Sequence, residues 1–227
     1  MQVLPAPDEI DLGVEYRRSR ERLSDLVLDV TDAASVPVAA CPGWTVHDVV
    51  CHLVAVVEDV MAGRLTRPPD DAETAAQVGR RRDRPTPGVV DEWAAIASPF
   101  EDLLAKVRVW PAAMDVLSHE QDIRAAVGQP GARDAVGILV GAGVLVDSLR
   151  GPVDLLIHVD DAEHVIRSGP EAGGEPLELR TTAFEAFRFR LGRRSRGQLA
   201  AMAWSGDPSA LIPDLTIFGP SPTDILE

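Results

Sequence analysis

Two histidines and a carboxylate are the residues of this chain whose types and spacing best suit chemistry. His52 stands in the first half of the chain, and Asp115 and His119 follow four positions apart. A carboxylate and an imidazole at that spacing project from the same side of an α-helix. With a third ligand from another helix, metal coordination positions would stay open for water or a thiol, as in catalytic sites. The spacing therefore indicates a candidate metal site.

Ordinary structural roles are the alternative for the same residues. A lone histidine at the edge of an apolar stripe is commonly a hydrogen-bonded boundary residue. An Asp–His pair four residues apart is commonly a surface hydrogen bond. Cys41 and Cys51 could add soft ligands, but Cys51 is about 100° further round the helix from the apolar stripe than His52. We interpret both cysteines as ordinary small residues.

The helix that carries His52 has a clear start signal. Thr45 suits the N-cap, Asp48 stands at the capping-box position, and Trp44 with Val49 could close a hydrophobic staple. The pattern predicts a helix from there to about Met61, followed by a glycine stop. Its apolar stripe comprises Val49, Leu53, Val56 and Val60.

Helical geometry indicates where the candidate ligands face. His52 falls at the edge of the apolar stripe, whereas His47 falls on the opposite side, towards water. A later helix, with Pro111 in its first turn, ends near Val127. Asp115, His119 and Asp122 lie together along one edge of its apolar face. Metal sites in helical bundles are built from inward side chains of this kind.

The remaining pattern predicts an α+β chain. Helices over residues 10–30 and 89–107, the latter kinked or broken at Pro99, complete a four-helix bundle with a loop over 64–88. A helix over 134–149, strands over 153–159, 163–168 and 177–179, a helix opened by Thr182, and a short helix over 195–203 follow. We predict a bundle domain over residues 1–131 and a small α+β domain over 132–227.

Composition limits the function classes. The net charge of −14 argues against a general binder of nucleic acid or of anionic membranes. The longest apolar run, residues 135–146, is too short to span a bilayer, and the first residues do not form a signal peptide. Two cysteines give no disulfide framework and fit a reducing compartment. These observations predict a cytoplasmic protein.

Three segments resemble one known family. The run CPGWTVHDVVCHL over residues 41–53 resembles the CPGW-x-V-x-D-V-x-x-H-L signature of the mycothiol-dependent maleylpyruvate isomerase family. The block DVLSHEQDIRAAVG over 115–128 looks like that family's second motif. Segments 192–198 and 204–208 are similar to its C-terminal parts. The resemblance covers nearly the whole chain.

The resemblance implies a DinB-like four-helix bundle that binds a divalent metal, zinc or alternatively nickel. It carries the ligand roles onto His52, Asp115 and His119, and the family's Glu in Glu-x-x-x-His is replaced here by Asp115. The implied cofactor is mycothiol or a similar thiol, which a metal would hold as the nucleophilic thiolate. Addition to an activated double bond, rotation and elimination would give a cis–trans isomerase. Attack on a carbon with a leaving group would give an S-transferase.

Arginines cluster near the C-terminus. Between Arg180 and Arg196 the sequence has six arginines and a single acid, Glu185. One interpretation pairs them with the acidic bundle. The other is that Arg188, Arg193 or Arg194 reaches the metal cleft and binds an anionic substrate or a carboxylate of the thiol cofactor.

The leading hypothesis is a metal-dependent, thiol-using enzyme with a small anionic or electrophilic substrate, no nucleic-acid or membrane partner, and a monomeric or homodimeric state. Asp122 is a candidate hydrogen-bond partner for a ligating imidazole. The alternatives are a non-catalytic protein that binds a small molecule or metal, and a metal-free bundle that acts as an interaction module.

Overall fold

The helices of the first half of the chain group apart from the mixed structure of the second half. The computed structural model describes residues 6–65, 67–161, 164–169 and 175–227. Residues Asp11–Gly131 form one unit, and Ala132–Leu226 form the other together with the described residues before Asp11. Ile10, which the sequence analysis assigned to the bundle domain, thus belongs with the second unit.

The first unit, called here the bundle, is built from four long helices and one short helix. Helix α1 packs against α4 and α5, while α2 packs against α3, α4 and α5. The predicted four-helix bundle is confirmed. Its helices are α1 (Leu12–Asp29), α2 (Val46–Met61), α3 (Asp71–Gly79), α4 (Thr86–Val107) and α5 (Trp110–Ala126), with a 3₁₀ turn at Ala33–Ser35.

Helix α2 begins and ends where its sequence predicts. The Thr45 hydroxyl accepts a hydrogen bond from the Asp48 backbone N–H (3.3 Å), and the Asp48 carboxylate accepts one from the Thr45 N–H (3.0 Å). These two bonds satisfy backbone donors that a helix start leaves without intrahelical acceptors. At the other end, Gly63 takes a positive φ of 68°, which glycine adopts without steric cost.

Helix α3 corrects the prediction of a continuous loop over residues 64–88. Asp70 caps its start by accepting from the Glu73 N–H (2.9 Å), and Glu73 accepts from the Asp70 N–H (2.8 Å). Gln77 and Val78 are its buried residues. With so little apolar surface, α3 gives no helical hydrophobic period. Its capping box is the signal that could have found it.

Helix α4 begins earlier than predicted and runs through Pro99 without ending. It packs closely on α1, where Trp93 Nε1 donates to the Tyr16 hydroxyl (3.0 Å) and the Tyr16 and Phe100 rings lie 5.0 Å apart. Gly13 faces the backbone of Glu101 so closely that a Cβ would stand 2.2 Å from the carbonyl oxygen. Absence of a side chain at Gly13 therefore sets how near the two helices approach.

The second unit combines a four-stranded sheet with helices, as the α+β prediction requires. Strand order is β2-β1-β3-β4; β1 pairs antiparallel with β2 and parallel with β3, and β3 pairs antiparallel with β4. Its elements are α6 (Val136–Asp147), β1 (Leu155–Val159), β2 (His164–Ser168), β3 (Leu177–Thr181), α7 (Ala183–Arg190), α8 (Arg196–Ala200), β4 (Ala203–Trp204) and a 3₁₀ turn at Ile212–Asp214.

Most element predictions for this unit are confirmed with small shifts. Glu163, the predicted first residue of the second strand, lies outside the described residues. The short helix predicted over 195–203 ends at Ala200, and its last predicted residue belongs to β4. Thr182 caps α7 by accepting from the Glu185 N–H (3.2 Å). Within the part of the chain that the structure describes, no helix has the length and apolar character needed to cross a membrane.

Candidate metal site

Helices α2 and α5 bring His52, Asp115 and His119 together. His52 Nε2 lies 3.7 Å from Asp115 Oδ2, and His119 Nε2 lies 3.5 Å from Asp115 Oδ1. The two imidazole rings meet nearly edge to face, with centroids 5.5 Å apart. Both histidines are buried, whereas the Asp115 side chain is 29% exposed. The two imidazoles are thus more deeply buried than the Asp115 side chain, although Asp115 Oδ2, the oxygen nearer His52, is itself buried.

These three donors suit a divalent metal in chemistry and in spacing. One ligand atom from each residue lies within 4.8 Å of the other two. Zinc ligands at about 2.1 Å from the ion and at tetrahedral angles are about 3.4 Å apart. Each imidazole Nε2 lies at a comparable distance, 3.7 and 3.5 Å, from a different oxygen of the Asp115 carboxylate. Two imidazoles and one carboxylate also leave a coordination position for a further ligand.

Asp122 fixes the His119 ring within the same helix. Its Oδ2 lies 3.0 Å from His119 Nδ1. Because a carboxylate oxygen accepts, Nδ1 is the donor, and in the neutral ring the Nε2 lone pair is then directed to the side of Asp115. The sequence hypothesis that Asp122 is the hydrogen-bond partner of a ligating imidazole agrees with this arrangement.

Gln77 occupies the equivalent position beside His52, and sequence reasoning missed it. Its Oε1 lies 2.9 Å from His52 Nδ1, and its Nε2 donates to Asp59 Oδ2 (2.8 Å). Arg80 Nη2 and Arg64 Nε donate to the same carboxylate at 2.8 and 2.9 Å. The His52 ring is therefore connected through α3 to an ion-paired acid near the end of α2.

Trp44 and Cys41, from the segment before α2, border the histidines. The Trp44 ring centroid is 5.3 Å from that of His52. Cys41 Sγ lies 3.8 Å from both His119 Nδ1 and Asp122 Oδ2. Cys41, His119 and Asp122 form a second set of possible ligands. Because Nδ1 of His119 donates to Asp122, this set competes with that hydrogen bond, and the set with Asp115 uses His119 without breaking it.

His47 does not face open water, contrary to the sequence interpretation. Its Nδ1 lies 2.8 Å from the Thr86 hydroxyl and its Nε2 lies 3.1 Å from the Arg82 carbonyl, since the start of α4 and the segment before it cover this side of α2. Cys51 is buried with its Sγ 3.4 Å from His47 Nε2. Burial raises the pKa of the Cys51 thiol to about 11, so the thiol stays protonated near neutral pH.

The three candidate anion-binding arginines lie in the second unit. Arg188 is fully buried in α7. Arg193 is half-buried and donates from Nη1 to the Leu191 carbonyl (2.7 Å). Arg194 forms a two-bond salt bridge with Glu185 at 2.8 and 2.7 Å. The salt bridge gives Arg194 a structural function, and anion binding by Arg188, Arg193 or Arg194 stays a prediction.

A helical bundle followed by a small α+β unit is the class of protein that the fold defines. The family model described as mycothiol maleylpyruvate isomerase N-terminal domain matches residues 16–129, just over half of the 227 residues. The chain belongs to this family. None of the curated proteins searched matches the chain.

Two solved structures share the fold across both units. A crystal structure of the mycothiol-dependent maleylpyruvate isomerase aligns with a TM-score of 0.58 and 10% identity, covering 93% of this chain and 98% of that one. A variant of that isomerase with one histidine changed to alanine aligns with a TM-score of 0.56, at the same identity and coverage. The α+β fold class predicted from the sequence is thereby confirmed.

Proposed function

We propose that this protein is a divalent-metal-dependent enzyme that uses mycothiol or a similar low-molecular-weight thiol as cofactor or co-substrate. Its reaction is a cis–trans isomerisation or an S-transfer. The observation that carries the proposal is the convergence of two buried imidazole Nε2 atoms on the Asp115 carboxylate. Membership of the family supports the thiol.

His52, Asp115 and His119 would hold the metal, with zinc as the expected ion and nickel as the alternative. When bound, such an ion lowers the pKa of a coordinated thiol so that it ionises. Asp115 would add the negative charge of the ligand set, beside two buried imidazoles. The Trp44 ring lies beside the His52 ring, with centroids 5.3 Å apart.

The substrate class follows from the reaction type. A thiolate nucleophile requires an electrophilic carbon, and an activated double bond conjugated to a carboxylate would also bring negative charge. We therefore propose a small anionic or electrophilic substrate, with Arg188, Arg193 or Arg194 as candidates for holding its charge. The net charge of −14 supports a protein without nucleic-acid or anionic-membrane partners, and the two cysteines fit a cytoplasmic location. We expect a monomer or a homodimer.

Metal content of the purified protein tests the proposal. We expect stoichiometric zinc in the wild type and its loss in His119→Ala, because the substitution removes one of three ligands. His158→Ala, which changes a partly exposed histidine of β1, is the matched control and should keep the metal. A wild type that binds neither zinc nor nickel after incubation with either ion would contradict the proposal.

A second measurement separates an enzyme from a non-catalytic binding protein. Turnover of maleylpyruvate that depends on added thiol supports the isomerase, and transfer of the thiol to an electrophile supports the S-transferase. Stoichiometric metal with neither activity would favour a binding protein that keeps the bundle.

A further inference from the structure

Helix α3 presents Gln77 to the candidate metal site. Gln77 is 2% exposed, and its amide lies between the His52 ring and the Asp59 carboxylate. A buried amide with one charged and one aromatic partner has a defined orientation, because its two ends differ in hydrogen-bonding character.

The charge state of Asp59 sets the orientation of the Gln77 amide. Burial alone would raise the pKa of Asp59, but hydrogen bonds from Arg80, Gln77 and Arg64 outweigh burial and hold the pKa below its usual value. Asp59 is therefore an ionised carboxylate, which accepts hydrogen bonds and donates none. The Gln77 NH₂ group must face Asp59, and the Gln77 carbonyl oxygen must face His52.

A carbonyl oxygen accepts, so His52 must donate from Nδ1. In the neutral ring this places the only proton on Nδ1 and leaves the Nε2 lone pair directed towards Asp115. The opposite tautomer would put an N–H at Nε2, where ligation needs a lone pair. It would also leave the Nδ1 lone pair facing the Gln77 carbonyl oxygen.

We propose that Gln77 is a positioning residue that sets the tautomer and ring orientation of His52, with Asp59 and its arginines orienting the amide. As a statement about metal affinity, the inference rests on the proposed function. As a statement about the His52 ring, it concerns the metal-free protein and can be tested without an ion.

Nitrogen-15 NMR of the metal-free protein tests the tautomer directly. Long-range correlation spectra, recorded above the pH at which imidazoles titrate, distinguish rings protonated at Nδ1 from rings protonated at Nε2. The chain has five histidines, so the spectrum of His52→Ala assigns the His52 signals. We expect Nδ1 protonation of His52 in the wild type.

Three variants test whether the Gln77 carbonyl oxygen, as hydrogen-bond acceptor, sets the His52 tautomer. Gln77→Met keeps a similar volume without the amide, and we expect His52 to populate the Nε2-protonated form. Gln77→Glu keeps an oxygen acceptor and should retain the wild-type tautomer, even though it loses the donor to Asp59. Gln129→Met, the matched change at an exposed glutamine, should leave all histidine signals unchanged. Circular dichroism confirms that each variant is folded.

Zinc affinity, measured by competition with a chromophoric chelator, provides the second readout. Loss of a hydrogen-bond partner of a ligating imidazole typically weakens metal binding about 10–100-fold, and we expect a loss in that range for Gln77→Met. A folded Gln77→Met with the wild-type His52 tautomer would overturn the inference, whatever its affinity. A tautomer change in a protein that never binds metal would uphold it and would count against the proposed function alone.

Discussion

His52 and His119 hold their rings with hydrogen bonds of different kinds. His119 donates to a carboxylate three residues away in its own helix, whereas His52 donates to a neutral amide from α3. A carboxylate partner increases the basicity of the imidazole more than an amide does. We therefore expect the two nitrogens that face Asp115 to differ in strength as metal ligands, with that of His119 the stronger.

Replacing Asp122 by asparagine tests that difference. The substitution keeps the shape of the side chain but removes its charge, so we expect zinc affinity to fall about 10-fold, at the weaker end of such effects. Chelator competition measures the change, and Asp102→Asn, at an exposed position of α4, is the control. Unchanged affinity in a folded Asp122→Asn would show that the carboxylate charge does not act on His119.

For the individual residues of the site, the sequence predicted some roles and missed others. His52, Asp115 and His119 were predictable because helical periodicity places each beside an apolar stripe. Cys41 was considered as a soft ligand but interpreted as an ordinary small residue, and Gln77 was missed, because their contacts with His119 and His52 join different segments of the chain. No local pattern records such a tertiary contact.

Among the elements, α1 and α4 are held at a distance that one glycine permits. A Cβ on Gly13 would stand 2.2 Å from the Glu101 carbonyl oxygen and 3.0 Å from its carbon. Both atoms belong to the backbone, so neither can move without shifting a helix. The Glu101 carboxylate also forms salt bridges with two arginines of α1, Arg17 at 2.6 Å and Arg20 at 3.0 Å.

Two glycine-to-alanine changes should have opposite effects on stability. Gly13→Ala should lower the free energy of unfolding by about 1–3 kcal/mol, because an extra methyl is forced into a packed contact. Gly79→Ala, in α3 and with nothing within 4 Å of the added Cβ, should raise it by about 0.5–1 kcal/mol, since alanine favours a helix. Urea denaturation measures both. Equal effects would contradict the close approach of α1 and α4.

The elements were predictable where capping and periodicity agree. Helix α2 has both signals, and its bounds match the prediction. Helix α3 has the cap formed by Asp70 and Glu73 but no apolar period, and it was missed. Pro99 was expected to kink or break α4. The helix does not break there, because packing of residues such as Trp93 and Phe100 offsets the lost hydrogen bond, and the kink stays a prediction.

Across the whole molecule, ion pairs between arginines and buried or partly buried carboxylates recur. Hydrogen bonds from Arg81 lower the pKa of Glu92. Burial acts to raise the pKa of Asp48, but bonds from Thr45 and Arg82 outweigh it and lower the pKa. Asp59 follows the same pattern. In this chain arginine is the almost exclusive cation, and its planar group suits such pairs.

These lowered pKa values fix the sign of the pH dependence. A carboxyl group whose pKa is lower in the folded state contributes stability that is complete above its unfolded value, 4.5 for Glu92 and 3.8 for Asp48. The contribution is lost as the pH falls through the folded-state values. We therefore expect the free energy of unfolding to decrease as the pH falls below about 4.5.

Glu92→Gln should make that decrease shallower, since the variant lacks one of the titrating groups. Urea denaturation at a series of acidic pH values measures the slope, with Asp102→Asn on the same helix as the control. An identical slope in Glu92→Gln and wild type would exclude Glu92 as a source of acid sensitivity.

The different partners of the two imidazoles have a consequence for the order of folding. The hydrogen bond of His119 spans three residues of one helix, so it can form as soon as α5 does. The hydrogen bond of His52 joins residues 25 positions apart and must wait until α3 docks on α2. Helices α2 and α5, which carry the three donors, pack against each other, and we expect the Nδ1–H of His52 to gain its acceptor only once α3, the shortest helix of the bundle, packs on α2.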